Sequence, residues 1–298
     1  MAKIAAVLDD ALAKRALEGG PGRLTARVLA EGREWSVSDV VCTSGPQDRP
    51  LEEQHDDMFI SLVVAGSFQY RAAAGYDVLT PGSLMLGNAG QPFECRHDHG
   101  AGDRCLSFGY APEYFERLAA AAGAGENGHR FLVVRVPPLR ALTPLVARAC
   151  AALVAAGDMG WEELSLLVAA HAVQLTRGAR PDPPTMPPRA EAGVAAAVRT
   201  IERQPDGRLT LARLAEEAGL SPFHFLRAFE RVTGVTPHQY VLRTRLRNAA
   251  LRLSEGPAKV VDVALDSGFA DVSNFNRAFR GEFGVSPSGY RARPAPLR

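Results

Sequence analysis

The sequence repeats one short unit near its C-terminal end. GLSPFHFLRAFERVTGVTP occupies residues 219–237, and GFADVSNFNRAFRGEFGVSP occupies residues 268–287. Each copy follows an apolar-periodic segment that ends at Gly219 or Gly268, where a helix C-terminus favours a left-handed residue. The repeat therefore predicts two helix-turn-helix units, at about residues 209–232 and 259–283.

The second helix of each unit has clear start signals and one apolar stripe. Ser221 is a good N-cap with Pro222 at the first helical position, and the other copy starts near Asp271. Apolar residues at helical spacing predict the buried stripes: Phe225, Ala228, Phe229 and Val232 in the first copy, and Phe275, Ala278, Phe279 and Phe283 in the second.

The opposite faces of these two helices carry polar and cationic residues. They comprise His224, Arg227 and Arg231 in the first copy, beside the apolar Phe223, and Ser273, Asn274, Arg277 and Arg280 in the second. Arg can form two hydrogen bonds with guanine, Asn can do so with adenine, and a second helix held by a tight turn fits a major groove. Residues 190–298 carry a net charge of +5 against −4 for residues 1–189, which agrees with a polyanionic partner. These faces therefore predict binding to double-stranded DNA.

A longer helix is predicted between the copies, over residues 237–253. Thr236 is its N-cap, and Gly256 follows its end. A strut of about 25 Å, with the width of the helices it joins, would set the two outward faces about one DNA turn apart. Arg243 lies on this helix and is expected to contact phosphate.

Residues 191–293 resemble the paired helix-turn-helix domain of AraC/XylS-family transcription regulators. The motif A-x3-G-[LF] precedes each second helix, and RAF, a glycine, [ST]P and a tyrosine close each copy. Phe229, Gly234, Pro237 and Tyr240 recur as Phe279, Gly284, Pro287 and Tyr290. The resemblance implies base contacts by Phe223, Leu226 and Arg227 in the first copy and by Ser273, Asn274 and Arg277 in the second, although Leu226 is apolar where a polar residue is common. It also implies an activator that contacts RNA polymerase and a ligand-responsive N-terminal domain. The sequence itself does not distinguish activation from repression.

Residues 24–136 contain short β-favouring runs separated by turn residues, among them MFISLVV, SFQYRA, RCLSFGY and RFLVVRV. GYDVLTPGSLMLGNAGQPF is similar to a cupin strand-turn-strand passage. We therefore expect an α+β two-domain chain, with a cupin-like barrel and an antiparallel helix pair ahead of the all-α double helix-turn-helix domain. The predicted domains are residues 1–177 and 191–298, with a proline-rich linker at 178–190.

The predicted helix pair covers residues 138–178. Its apolar residues Leu164, Leu167, Val168 and Leu175 suit either a cap on the barrel or a homodimer contact, and dimerisation is the interpretation favoured by the resemblance.

A local cluster of thiols and imidazoles lies in ECRHDHGAGDRC, residues 94–105. Cys95, His97 and His99 alternate and would share one face of a strand, and Cys105 follows a glycine turn. A three- or five-residue loop would turn Cys105 toward the other three, whereas a four-residue loop would turn it away. The cluster has three interpretations: buried residues without a ligand, a zinc-type metal site, or a thiol sensor of oxidants or electrophiles. The metal-binding form of the cupin fold uses an HxH…E…H set of ligands. Only His55, followed by Asp57, lies where the first part of that set would fall, so a cupin metal enzyme is not expected.

These patterns predict a sequence-specific DNA-binding regulator controlled by a small-molecule, metal or thiol-reactive signal. The alternative is a DNA-binding domain fused to an enzymatic or metal-dependent cupin domain. No enzyme activity and no cofactor are expected. The acidic residues in the opening segment and the lack of a long apolar run indicate a cytoplasmic protein without a membrane partner, and the four dispersed cysteines fit a reducing compartment.

Overall fold

The computed structural model describes residues 2–125, 129–155, 160–179 and 186–292. The chain forms two compact units. The sheet unit contains Ala5–Pro138 and Trp161–Pro187, and the helical unit contains Met1–Ile4, Leu139–Gly160 and Pro188–Arg298. Residues 180–185 of the predicted linker lie outside the described residues.

The described residues of the sheet unit form ten strands: β1 (Leu24–Glu31), β2 (Trp35–Cys42), β3 (Leu51–Gln54), β4 (Met58–Gly66), β5 (Phe68–Ala72), β6 (Gly75–Leu79), β7 (Leu84–Gly87), β8 (Pro92–Arg96), β9 (Asp103–Tyr110) and β10 (Arg135–Val136). They form two antiparallel sheets, a six-stranded one in the order β1-β2-β9-β4-β7-β10 and a four-stranded one in the order β3-β8-β5-β6. Apolar side chains of both sheets, including Val63, Tyr70 and Leu79, pack into one core. The predicted α+β layout is confirmed, with two sheets that do not close into one barrel.

The run RFLVVRV differs from its prediction. Only Arg135 and Val136 pair with β7, although Phe131 and Val134 are also buried. Asn88 explains the irregular backbone, because its side chain accepts from the Phe131 amide at 2.8 Å and donates to the Phe131 carbonyl at 2.9 Å. These two hydrogen bonds satisfy the backbone amide and carbonyl of Phe131 without pairing to a neighbouring strand.

Three helices accompany the sheets: α1 (Ala2–Glu18), α2 (Pro112–Ala121) and α4 (Trp161–Leu175). The Tyr110 hydroxyl donates to the Ser165 carbonyl at 2.8 Å, which ties α4 to β9. Leu164 and Val168 are fully buried within this chain. Two of the four residues offered for a dimer contact are therefore unavailable to a second copy.

The predicted antiparallel pair is divided between the two units. Helix α3 (Thr143–Val154) and the 3-10 turn Arg140–Leu142 before it belong to the helical unit. There α3 packs against two later helices, α8 (Pro237–Glu255) and α10 (Val272–Phe283). Ala147 of α3 lies in the same core cluster as Leu246 and Phe279. The sequence assigned residues 138–178 to the first domain because α3 and α4 are adjacent along the chain, whereas α3 buries its apolar side in the helical unit.

The helical unit continues with seven helices: α5 (Pro188–Arg203), α6 (Leu211–Glu217), α7 (Pro222–Thr233), α8 (Pro237–Glu255), α9 (Val260–Asp266), α10 (Val272–Phe283) and α11 (Pro287–Arg291). The predicted caps are present: the side chains of Ser221, Thr236 and Asp271 accept from backbone amides three residues on. Gly219 and Gly268 turn the chain with φ of 65° and 84°. Local capping and glycine signals thus set these helix ends.

The two copies build the same core. Phe229 meets Tyr240 at 5.6 Å between ring centroids with an interplanar angle of 81°, and Phe279 meets Tyr290 at 5.4 Å with the same angle. Gly234 and Gly284 end α7 and α10 in the left-handed conformation. The repeated letters of the sequence therefore correspond to a repeated packing unit.

Candidate nucleic-acid interface and buried histidine cluster

The face of α7 opposite its core is open to solvent. Phe223 is 63% exposed, and the Arg227 guanidinium lies over its ring, 5.8 Å from the centroid. His224 Nδ1 lies 2.8 Å from the Ser221 hydroxyl, so this ring stays at the start of the helix. Arg231 is exposed one turn further on. The predicted reader residues of the first copy, Leu226 apart, lie on this face.

The corresponding face of α10 is more polar. Its exposed residues are Ser273, Asn274, Asn276, Arg277 and Arg280. Donors and acceptors of this kind suit base edges and phosphates. The two helices therefore share a scaffold and differ in the surface they present.

Leu226 and Asn274 also line a cleft of about 540 Å³ within the helical unit. Residues of α6, of the start of α8 and of the turn between α9 and α10 complete its wall. Leu226 is half-buried there. Its side chain thus contributes to the cleft wall between the two helix-turn-helix units, in contrast to the open position of Arg227.

Arg243 does not have the predicted open position. Its side chain is 11% exposed, and its Nε donates to Glu282 Oε1 at 3.2 Å. Arg245 donates to the carbonyls of Pro205 and Gly207, and the Arg247 side chain, 2% exposed, pairs with Glu202. The phosphate contact by Arg243 stays a prediction, and the ion pair with Glu282 holds its charge inside the unit in this arrangement. The sequence signal for the Arg243–Glu282 ion pair was Glu282 itself, the single acidic residue near the end of α10.

The four residues of the predicted thiol and imidazole cluster are distributed differently from the expectation. The hairpin assumed for residues 94–105 does not form, because β8 belongs to the four-stranded sheet and β9 to the six-stranded sheet. Cys95 lies on β8, His97 and His99 follow that strand, and Cys105 lies on β9. The loop-length argument about Cys105 therefore does not apply.

A different group surrounds His97. Candidate ligand atoms of Cys42, His97 and Asp103 lie within 4.8 Å of one another, and all three residues are buried. His97 Nε2 lies 2.7 Å from Asp103 Oδ1, and Cys105 Sγ donates to Asp103 Oδ2 at 3.2 Å. The sequence analysis did not single out Cys42 or Asp103, and Cys95 and His99 are not in this three-residue group.

The electrostatics around this group favour a charged His97 and protonated thiols at Cys95 and Cys105. Burial opposes the charge of His97, but hydrogen bonds to Asp103 and Cys42 and the Asp103 charge raise the pKa of His97 to about 10. Burial, with the Asp103 charge, raises the pKa of Cys95 and of Cys105. Thiols that stay protonated are poor nucleophiles, so neither has the character of an exposed electrophile sensor.

Comparisons with known proteins agree with this geometry. An AraC-like ligand-binding domain matches residues 43–175, and a helix-turn-helix domain matches residues 214–293. Regulatory protein SoxS of Salmonella typhimurium is 33% identical over 96 residues, which are 32% of this chain and 90% of SoxS. The chain belongs to the AraC family of transcription regulators.

Two further similarities concern the same C-terminal region. The HTH-type transcriptional activator AarP of Providencia stuartii is 33% identical over 91 residues, covering 30% of this chain and 67% of AarP. A crystal structure of the DNA-binding domain of AdpA in complex with a target DNA has 29% sequence identity and a TM-score of 0.33, over 34% of this chain and 90% of that one. For the first curated relatives, the match spans between 31% and 37% of their own length.

The two domain matches place an AraC-like ligand-binding domain ahead of a helix-turn-helix domain in this chain. The similar proteins named above are transcription regulators or factors. No helix in the described parts of the chain is long and apolar enough to span a bilayer.

His55 lies apart from the His97 group, inside the ligand-binding domain. Its ring stacks on Phe93 at 4.1 Å, and its Nε2 lies 2.8 Å from the Tyr70 hydroxyl. Gly87 provides the space for it, since a Cβ there would lie 2.3 Å from His55 Nε2. His55 therefore belongs to an aromatic cluster of the core and is not part of the Cys42, His97 and Asp103 group.

This burial predicts a loss of stability in acid. Burial lowers the pKa of His55 from 6.5 to about 4, partly offset by the charge of Asp56. Because the unfolded chain then binds the proton more readily, stability should fall by about 3 kcal/mol as pH decreases from 6.5 to about 4. Urea unfolding across this range should give that loss for wild type, and His55→Gln should remove this part of it. Equal pH dependence in the two proteins would contradict the assignment.

Proposed function

We propose that this AraC-family protein is a promoter-specific activator that reads an asymmetric two-part DNA site. Helices α7 and α10 would each enter a major groove, and a signal bound by the N-terminal domain would control that binding. The observation that carries the proposal is the pair of helices with matching caps and cores but different exposed faces. One polypeptide can thereby read two different half-sites.

Activation is supported by the similarity to AarP, whose name describes a transcriptional activator. It would act through contact with RNA polymerase. A small-molecule signal fits the ligand-binding domain better than a thiol-reactive one, because the thiols of Cys95 and Cys105 are kept protonated.

The position of α3 offers a route from signal to DNA. By sequence, α3 lies within the stretch that matches the ligand-binding domain, yet it packs against α8 and α10 in the helical unit. A ligand that favours one arrangement of the chain around α3 would bias α10, and with it the second half-site.

The test is DNA binding by Arg227→Ala and Arg277→Ala. A binding site is first selected from a random duplex library with the wild-type chain. Each substitution should then weaken binding to that site by about 1–3 kcal/mol, or roughly 5- to 150-fold, because one groove contact is lost. Fluorescence anisotropy at fixed salt gives the affinities.

Footprinting should separate the two variants, with lost selectivity in a different half-site for each. Arg117→Ala, an exposed arginine of the sheet unit, is the matched control and should bind as wild type does. If Arg227→Ala and Arg277→Ala weakened selected and random DNA equally, the proposed groove reading would be rejected.

Homodimerisation also remains a proposal. Since Leu164 and Val168 are buried within the chain, a dimer contact through α4 would have to use its other side, where Leu166 is exposed and Leu167 is half-buried. Light scattering after gel filtration should give twice the chain mass; a monomer mass across the working concentrations would rule this proposal out.

A further inference from the structure

Three metal-type ligands of different chemistry converge inside the ligand-binding domain. They are the thiol of Cys42, the imidazole of His97 and the carboxylate of Asp103, with candidate ligand atoms within 4.8 Å of one another. All three residues are buried. A buried polar cluster of this density requires either complete internal hydrogen bonding or a cation.

The fold brings the three ligands together from separate elements. Cys42 and Asp103 are cross-strand partners in the β2–β9 register, so their side chains emerge on the same face of the six-stranded sheet. Cys105 lies two residues after Asp103 and shares that face. His97 follows β8 of the other sheet and closes the group.

The backbone around the group is tightly packed. Gly66 pairs with Asp103 on the other side of β9, with φ of 73°. A Cβ at Gly66 would lie 2.2 Å from the Gly102 carbonyl and 2.7 Å from Asp103 Cα. The strand that supplies Asp103 is therefore closely fixed at this point, as a preformed ligand site requires.

We propose that Cys42, His97 and Asp103 bind one divalent transition-metal ion of borderline softness, with Zn²⁺ as the fitting ion. A thiolate, an imidazole and a carboxylate are the three donor types that Zn²⁺ uses in proteins. Three protein ligands leave a fourth position, for water or for Cys105 after a small rotation of its side chain. Cys105 already donates to Asp103 Oδ2 at 3.2 Å and can hold that carboxylate in place.

Charge is balanced in the metal-bound group. A thiolate from Cys42 and the Asp103 carboxylate together offset the two positive charges of the ion, and His97 binds as the neutral ring. Binding thus releases the Cys42 thiol proton and a proton from His97 to solvent. The competing interpretation is a metal-free ion pair between His97 and Asp103 with Cys42 as a neighbour.

The experiment uses the full chain without a purification tag. Zinc content is measured on the purified protein, the metal is removed with a chelator, and Co²⁺ is titrated as a spectroscopic substitute. We expect about one ion per chain and a thiolate-to-cobalt charge-transfer band with the intense visible bands of a tetrahedral site. A folded wild-type chain that develops no charge-transfer band would overturn the proposal.

Variants assign the ligands. Cys42→Ser should abolish the charge-transfer band, and His97→Gln and Asp103→Asn should each weaken affinity by more than about 100-fold, the upper end of what an outer-sphere change costs. Cys105→Ser should weaken it by about tenfold while the band remains. Circular dichroism confirms folding, and His97→Gln retains a group that can hydrogen-bond to Asp103.

Cys150→Ser is the matched control, since Cys150 is a buried cysteine on α3 of the other unit. It should bind Co²⁺ as wild type does. Retention of the band in Cys42→Ser, or its loss in Cys150→Ser, would refute the assignment. DNA binding is not a readout here, so failure of this proposal leaves the proposed regulatory function untouched, and the reverse also holds.

Discussion

Phe229→Ala should lower the free energy of unfolding of the helical unit by about 3–5 kcal/mol, because it empties the centre of the first helix-turn-helix core. Phe229 is fully buried, with Phe225 at 5.5 Å and Tyr240 at 5.6 Å between ring centroids. The substitution would remove the buried ring of Phe229 together with its contacts to the two neighbouring aromatic rings. Urea unfolding followed by circular dichroism measures the change.

Phe223→Ala is the control on the same helix. Phe223 is 63% exposed, so its removal should change stability by less than about 0.5 kcal/mol. It should instead weaken DNA binding, because the ring that supports the Arg227 guanidinium is lost. The predicted division of α7 into a core face and a reading face would be wrong if both substitutions destabilised the chain to the same extent.

Much of the helical unit follows from local sequence. Ser221, Thr236 and Asp271 cap their helices through bonds three residues along the chain, and Gly219 and Gly268 turn it within one residue. Such signals can be recognised because donor and acceptor are adjacent in sequence. The spacing of apolar residues then assigns the buried face of each helix.

The candidate metal group could not be found in the same way. Cys42 and Asp103 are 61 positions apart and meet only through the pairing of β2 with β9. The sequence instead favoured Cys95 and His99 because they alternate with His97. That periodicity ends with β8 at Arg96, and the chain then crosses to the other sheet. Register between distant strands decides which ligands meet, and it has no local signal.

The ion pair of Arg243 was missed for a related reason. The sequence presented Arg243 as a cation on a helix of a cationic domain, where a phosphate contact is a reasonable expectation. The partner of Arg243 is found on α10. When the two copies are aligned at Arg-Ala-Phe, Glu282 of α10 takes the place that Val232 has in α7. Val232 is 5% exposed and the Glu282 side chain 8%, so a carboxylate stands at a core position of the second copy.

Glu282 has the partners that such a position requires. Its Oε1 accepts from Thr143 Oγ1 at 2.7 Å and from Arg243 Nε at 3.2 Å, and Arg140 Nε lies 3.8 Å from Oε2. Arg140 also donates to the carbonyl of Gly281. Two of these partners belong to the segment that begins α3, so one carboxylate joins α3, α8 and α10. The first copy, with valine at this place, has no equivalent carboxylate.

Glu282→Val, which introduces the residue of the first copy, should therefore destabilise the helical unit by about 3 kcal/mol. The cause is the Arg243 guanidinium, which would remain 11% exposed without its counter-ion. Adding Arg243→Met should recover most of the loss, since replacing both members of a buried ion pair by apolar groups is often neutral. Urea unfolding of the two single variants and the double variant gives the coupling energy.

The same double variant tests whether α3 carries the signal. The double variant regains stability but lacks the carboxylate that joins α3 to α10. It should therefore still bind the selected DNA through α7. Its footprint over the second half-site should no longer depend on an added inducer. Glu230→Val, an exposed glutamate on α7, is the control for a change of charge and should keep that dependence. A double variant that is as unstable as Glu282→Val would show that Glu282 does not act mainly through Arg243. An unchanged inducer response would show that the signal reaches α10 by another route.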